Sequence, residues 1–490
     1  MKLYKNTPFR IAGLIFCLSF IALLSVRIDL FTKFNTDTNI QTVSPENALS
    51  NKKYWMNILQ NNEKIGYSYT EFLKTDTGYR LKETIFMRIN TMGMIQNLSI
   101  ATNALLNNDL SLSLFTFSIN SGLFKFTVDG KVKSNLLTIH TRRKHFRKKF
   151  SFQLKKKPYL TSGVLPAIRN EGLGPGDTRS FFVFDPATMG QETLKVKVLK
   201  KEEIKILGEM HEATKISLNF KGAEQFAWID VNGELLKESG LLGITLEKTN
   251  HSGALSGISK KPVEDITKMA SIPSNILLND PSSLNMLEFK ITGVDKSTLN
   301  LQGLRQLLNG DHLTIRKEDI DDLPETFEIT PDAIEFLKPT PFIQSDHPEI
   351  VNTVKSIINK NDSPLEKSKK LVSWIRRNIK KRPVLSVPDA LSTFKNRIGD
   401  CNEHAVLLAS FARAAGIPAK VESGLAYLNG RFYYHAWNLL YLGRWITADS
   451  TFSQLPADVA HIRFTSGSQE TQLDLISVID RVKIEVIKKQ

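Results

Sequence analysis

The stretch from Gly399 to Phe464 decides the reading of the chain: GDCNEHAVLLASFARAAGIPAKVESGLAYLNGRFYYHAWNLLYLGRWITADSTFSQLPADVAHIRF. Asp400 stands where a helix N-cap belongs, and Glu403 three residues on completes a capping box. Ala405 to Ala415 is almost entirely apolar or small, so the helix is expected to be buried on most sides. Gly416 and Pro418 end it. Cys401 therefore falls in the first turn, where unpaired backbone N–H groups and the positive end of the dipole favour thiolate over thiol.

RFYYHAWNLLYL reads as an aromatic-rich strand with Tyr433, His435, Trp437 and Leu439 on one face. RWITADS reads as a second strand with Trp445, Thr447 and Asp449 on one face, and Gly443 in the short connection makes the two a hairpin. His435 and Asp449 then share a face only if the loop has an odd residue count or a bulge intervenes; a two-residue turn at Gly443-Arg444 would separate them. A carboxylate beside His435 would orient the ring and leave its other nitrogen for the thiol. Taken singly, the three residues have plainer readings: a small buried hydrophobe, a structural donor and a turn cap.

Taken together, GDCNEHA, ARAAGIPAK, YYHAWN and RWITADSTF resemble, in that order, the bacterial transglutaminase-like superfamily over roughly residues 345–490. The resemblance implies a papain-like domain in which Cys401 is the nucleophile, His435 the general base and acid, and Asp449 the orienting carboxylate. Tyr433 and Trp437 are the candidate substrate-binding residues. The Cys401 backbone N–H is one candidate oxyanion donor; Trp437 or a group upstream of Gly399 is a second. ADVAHIR also looks like a family feature, with Asp458 and His461 read as structural.

The chemistry expected is acyl transfer: a thioester forms on Cys401 from an amide or peptide carbonyl and passes to water or to an amine, without a cofactor. The substrate is expected to be a protein or peptide, cell-wall peptide included. A metal held by His404, His435 and Asp449 is geometrically conceivable, but no further close ligand pair is visible and no metal is expected. The competing class is a non-catalytic, membrane-tethered binding or scaffold protein for cell-envelope ligands.

Outward from this stretch, PEIVNTVKSIINK and PLEKSKKLVSWIRRNIK place apolar residues at helical intervals after Pro348, with Ser363-Pro364 as N-cap and first helical residue. In the second, Leu365, Leu371, Val372, Trp374, Ile375 and Ile379 make a core stripe. Residues 266–340 read as a small β unit or a connector. Residues 51–265 alternate with period two between Asn, Asp and Gly turns and read as one large antiparallel β domain. Between Arg142 and Lys157, nine Lys or Arg residues interleave with Phe146, Phe150 and Phe152. Even spacing of the Phe residues favours a strand pair with one solvated basic side; a docking surface for an anionic polymer or headgroups is the sharper alternative.

At the start of the chain, Ile11 to Val26 carries no charge and would span roughly 24 Å as a helix. Lys2, Lys5 and Arg10 precede it, so residues 1–34 are expected to be an uncleaved anchor with a cytoplasmic tip, residues 35–50 a linker, and the bulk exported to the periplasmic or extracellular face. No small-x-small cleavage site follows the apolar run. The whole is then an α+β chain: anchor, large antiparallel β domain, and a papain-like domain from residue 341 to 490.

The chain has 490 residues and a formal charge of +15, which favours anionic surroundings. No zinc-finger, RNP-type or helix-turn-helix pattern turns that charge into nucleic-acid recognition. There are only two cysteines, and Cys17 lies in the apolar run, so a four-cysteine zinc site is excluded.

Overall fold

A computed structural model describes residues 51–490 apart from 123, 144–145, 171–172, 221–222, 260–263, 468–474 and 476–477. The anchor expected at 1–34 and the linker at 35–50 lie outside the described residues. Among the described residues no helix is long and apolar enough to cross a membrane. Contacts divide the chain after Ile266 into a β unit and a second unit that runs from Thr267 to the C-terminus.

The β unit is one meander. Its strands are β1 (Lys52–Gln60), β2 (Glu63–Thr75), β3 (Gly78–Thr91), β4 (Met94–Leu106), β5 (Leu112–Asn120), β6 (Lys125–Lys133), β7 (Leu136–Arg143), β8 (Phe146–Gln153), β9 (Thr178–Asp185), β10 (Gly190–Ile206), β11 (Glu209–Phe220), β12 (Ala223–Ile229), β13 (Leu235–Ser239) and β14 (Ile244–Thr249). They form a 14-stranded sheet in the order β8 to β1, then β14 back to β9. The first and last strands meet in its middle, with Ile58 opposite Leu246. β2 and β4 alternate buried and open positions along their length, as strands that bury one face must.

The connection from β8 returns to the far edge: Tyr159 bridges Val183 of β9. It then enters helix α1 (Thr161–Asn170), which buries Val164, Ala167 and Ile168. In β8, Phe150 and Phe152 are half-buried while Lys149, Ser151 and Gln153 are exposed, the one-faced pattern of a strand pair. The side chains of residues 141–148 are outside the described set.

The second unit begins earlier than the spacing of its motifs suggests. β16 (Met286–Thr292), β17 (Gln306–Asn309) and β18 (His312–Arg316) share a four-stranded sheet with β25 (Lys483–Lys489), in the order β17-β18-β16-β25. β15 (Ile272–Pro273) pairs with β22 (Arg431–Tyr441). The segment 266–340, expected to be a small β unit or a connector, supplies strands to sheets that it shares with β25 and β22. Its strands need the chain's last strand as a partner, so the boundary expected near residue 341 falls inside one compact unit.

Four helices follow: α2 (Pro348–Ile357), α3 (Pro364–Asn378), α4 (Ala390–Asn396) and α5 (Cys401–Ala414). Ser363 and Glu366 make a reciprocal capping box at α3, with Pro364 at its first position. Every residue of α5 from Cys401 to Arg413 is buried. The reason is its place between the other helices and the sheet of β21 (Ala419–Leu428) and β22: Ile350, Leu371, Ile375 and Leu391 cover it on one side, Ala436 and Leu440 on the other. Trp374 joins this core, its ring against Phe394 and Phe411.

The site sheet runs β15-β22-β21-β24, where β24 is His461–Gly467, with β23 (Trp445–Ala448) paired to the far part of β22. Gly424 of β21 stands opposite His435 of β22 and Arg463 of β24. A Cβ built there would lie 1.9 Å from the Ile462 carbonyl oxygen, so β21 can pass between its neighbours only without a side chain. Gly424→Ala should therefore lower unfolding stability by the upper part of the roughly 1–3 kcal/mol typical of overpacking, read by chemical denaturation; an unchanged midpoint would show that the sheet relaxes around it.

Candidate active site

The cap of α5 is built as its residue types demand. Asp400 accepts from the Asn402 N–H at 3.0 Å, and Glu403 reaches back to accept from the Asp400 N–H at 3.0 Å. The Ser386 hydroxyl donates to the other Glu403 oxygen at 2.6 Å. Two carboxyls thus lie buried beside the cysteine. Burial, then the Glu403 charge, pushes Asp400 well above the usual carboxylate range; burial also raises Glu403, against the donors it accepts from. His404 donates its Nδ1 proton to the Asp400 carbonyl at 2.6 Å and is pushed down to about 4 by burial, so it is a neutral structural ring.

The hairpin turns on three residues. Tyr441 pairs with Trp445 and Leu439 with Thr447, which leaves Leu442, Gly443 and Arg444 as the loop. The count is odd, the condition under which His435 and Asp449 share a face. Their contact is direct: His435 Nε2 lies 2.6 Å from Asp449 Oδ2. Asp449 Oδ1 accepts from the backbone N–H groups of Thr451 at 2.6 Å and Phe452 at 3.1 Å. Oδ2 has a second partner, His461 Nε2 at 3.1 Å.

Four donors fill the acceptor capacity of an ionised carboxylate. Burial opposes that charge, but the His435 ring, its hydrogen bond and His461 hold Asp449 well below its ordinary range. His435 is therefore a donor at Nε2. Burial lowers its affinity for a second proton, with Asp449 pulling the other way. Its Nδ1 is buried and has no hydrogen-bond partner.

α5 brings Cys401 to the same region. Cys401 packs in the cluster that contains Ala405, Ala436 and Ala448. Asn438, three residues past His435, donates to the Ala405 carbonyl at 2.9 Å, and the Ser450 hydroxyl faces the His404 carbonyl at 3.4 Å. The start of α5, the middle of β22 and the turn after β23 are thus pinned to one another. Cys401 is 1% exposed and His435 3%, so the site is closed to solvent in this state. The outermost cover of the His435 ring is half-buried Phe452, stacked on it at 4.7 Å and 15°, with Lys381 Nζ 4.6 Å over the Phe452 ring.

Trp437 is 1% exposed and its indole N–H donates to Glu422 Oε2 at 2.7 Å, so that donor is committed inside the sheet in this state. It backs the site because Glu422, on the neighbouring strand, needs a buried donor. Tyr433 is half-buried on the His435 face of β22 and keeps its place as a candidate substrate contact.

The metal trio conceived with His404 does not assemble, since His404 is turned to Asp400. His435, Asp449 and His461 do gather, with ligand atoms all within 4.8 Å. The Nε2 of each ring hydrogen-bonds the same Asp449 oxygen, and a nitrogen that carries a proton has no lone pair for a cation; the trio fits a proton network.

Residues 351–450 match the sequence profile of the transglutaminase-like superfamily. The chain carries a transglutaminase-like domain. Cys401, His435 and Asp449 all fall within the matched residues, and Asp458 and His461 beyond them. The matched residues lie inside the second unit, and the large antiparallel sheet makes up the other.

No curated protein sequence matches the chain. Among solved structures it is similar to a candidate cysteine protease from Cytophaga hutchinsonii, at 18% identity over 42% of this chain and 84% of that one, with TM-score 0.27. The periplasmic domain of TgpA from Pseudomonas aeruginosa is 19% identical over 34% of this chain and 70% of that one, TM-score 0.23. A β-barrel-like protein of a domain of unknown function from Brucella abortus is 12% identical over 41% and 95%, TM-score 0.31.

Asp458 and His461, read from the sequence as structural, hydrogen-bond into the same cluster as Asp449. Their signal was the Asp-x-x-His spacing in ADVAHIR. His461 Nδ1 lies 2.9 Å from Asp458 Oδ1 while Nε2 faces Asp449. Burial opposes a charge on this ring, but the Asp458 carboxylate and the bonds to Asp449 and Asp458 outweigh it and raise His461 to about 9. A raised folded-state value means stabilisation that is complete below the ordinary value of 6.5 and lost as pH climbs through about 9. The gap in thermal midpoint between wild type and His461→Gln should therefore be widest near about pH 6 and close by about pH 9.5; a gap that is constant with pH would mean that His461 is uncharged.

Proposed function

We propose that the chain is a cysteine-nucleophile enzyme that acts by acyl transfer or hydrolysis on amide or peptide bonds. Cys401 is the nucleophile, His435 the base and acid, and Asp449 the orienting carboxylate. The observation that supports this most is the buried, unpartnered Nδ1 of His435. A ring whose Nε2–H is committed to Asp449 has its lone pair at Nδ1, the atom that a base needs free.

In the proposed reaction, Nδ1 takes the Cys401 proton as sulfur bonds to the carbonyl carbon. The resulting oxyanion sits near the backbone N–H groups at the start of α5. The imidazolium then gives its proton to the leaving nitrogen, the C–N bond breaks, and a thioester remains. Water or an amine, deprotonated by Nδ1, attacks that thioester and frees the sulfur. The apolar run at residues 11–26 supports anchorage in a membrane with the body exported, and a peptide of the cell envelope as substrate.

The closed state of the site favours a second reading, in which a membrane-tethered binding protein retains the fold without turnover, since Cys401 is 1% exposed.

Alkylation separates the two. In a Cys17→Ser background, iodoacetamide should label Cys401 at about pH 7.5 with His435 Nδ1 taking the thiol proton, and His435→Gln should slow that labelling by roughly a hundredfold or more. Wild-type labelling no faster than in Cys401→Ala would end the catalytic reading.

A further inference from the structure

We propose that His461 is a positioning residue of this site: clamped between Asp458 and Asp449, it holds Asp449 in place beside His435 and shares that carboxylate as a cation. The consequence for catalysis rests on the nucleophile reading above; the charge of His461 does not.

The geometry requires both ring nitrogens to donate. Nδ1 faces Asp458 Oδ1 at 2.9 Å and Nε2 faces Asp449 Oδ2 at 3.1 Å. A neutral ring would turn a lone pair towards one of two carboxylates. Asp458 is itself held ionised in form, accepting from Gln454 Nε2 at 2.8 Å and the Ala460 N–H at 2.9 Å. The two rings meet on one oxygen of Asp449 with centroids 5.5 Å apart.

The groups that face this pair are few. Asp449 and Asp458 come from the segment between β23 and β24, Trp437 from β22, and Lys381 from β19 (Lys380–Lys381), whose charge also bears on His435, while His404 of α5 lies in the field of Asp449. At rest Asp458, His461 and Asp449 together carry one negative charge. Without the cation they would carry two, and His435 would hold a proton at rest and lose its lone pair at Nδ1. His461 thus keeps His435 neutral and ready to accept.

Imidazole ¹⁵N resonances of the full chain, labelled in histidine and assigned by single His→Gln variants, test this directly. At pH near 7.5 His461 should be doubly protonated and His435 a neutral Nε2–H ring. The variant His461→Gln, which leaves Asp458 and Asp449 with two negative charges, should raise the His435 midpoint by about one pH unit, tenfold in proton affinity. A merely structural role would lower stability and leave that midpoint where it was. His461 found neutral in the wild type, or His435 unmoved in a folded variant, would overturn the proposal. Should the variant not fold, the wild-type titration decides alone. Loss of Cys401 labelling would remove the nucleophile reading but leave the His461 charge to be read from its own resonances.

Discussion

Asp449 accepts four hydrogen bonds, two from the backbone of the turn it begins and two from imidazole rings on β22 and β24. A buried carboxylate with every lone pair occupied stays ionised and cannot rotate. Its two backbone donors fix the turn at Thr451-Phe452, and so place Phe452 against the His435 ring. Its two ring donors fix the tautomer of His435 and join the strands that flank β21. Remove this one carboxylate and two rings, a turn and a strand edge lose their common reference.

The elements around it make sense as supports for that constraint. A three-residue loop sets the hairpin parity that puts Asp449 and His435 on one face. Gly424 lets β21 pass between β22 and β24 at the level of His435. The capping box of α5 holds Cys401 in the first turn, and Asn438 ties that helix to β22. Burial of α5 on all sides removes its freedom to slide. Such rigidity suits a site whose working atoms must hold position to within a fraction of an ångström.

Local features were the legible ones. Asp400 and Glu403 announce a cap, Ser363-Pro364 announces another, and the alternation of the first half of the chain announces a meander. These depend on residues a few positions apart. Features that depend on the return of distant chain were not legible. β25 completes the sheet of β16, so residues 267–340 could not be placed from their own pattern. Trp437 shares its strand face with His435, and Glu422 on β21 claims its N–H and holds it inside. His461 looked structural because its second carboxylate, Asp449, arrives only when β24 docks on β21.

A crystal structure of the chain after reaction with iodoacetamide tests the central claim most directly. The account predicts an adduct on Cys401 with His435 Nδ1 within hydrogen-bond reach of the modified sulfur or its amide, and Nε2 still on Asp449. An unmodified Cys401, or Nδ1 bound to another partner of the protein, would contradict it.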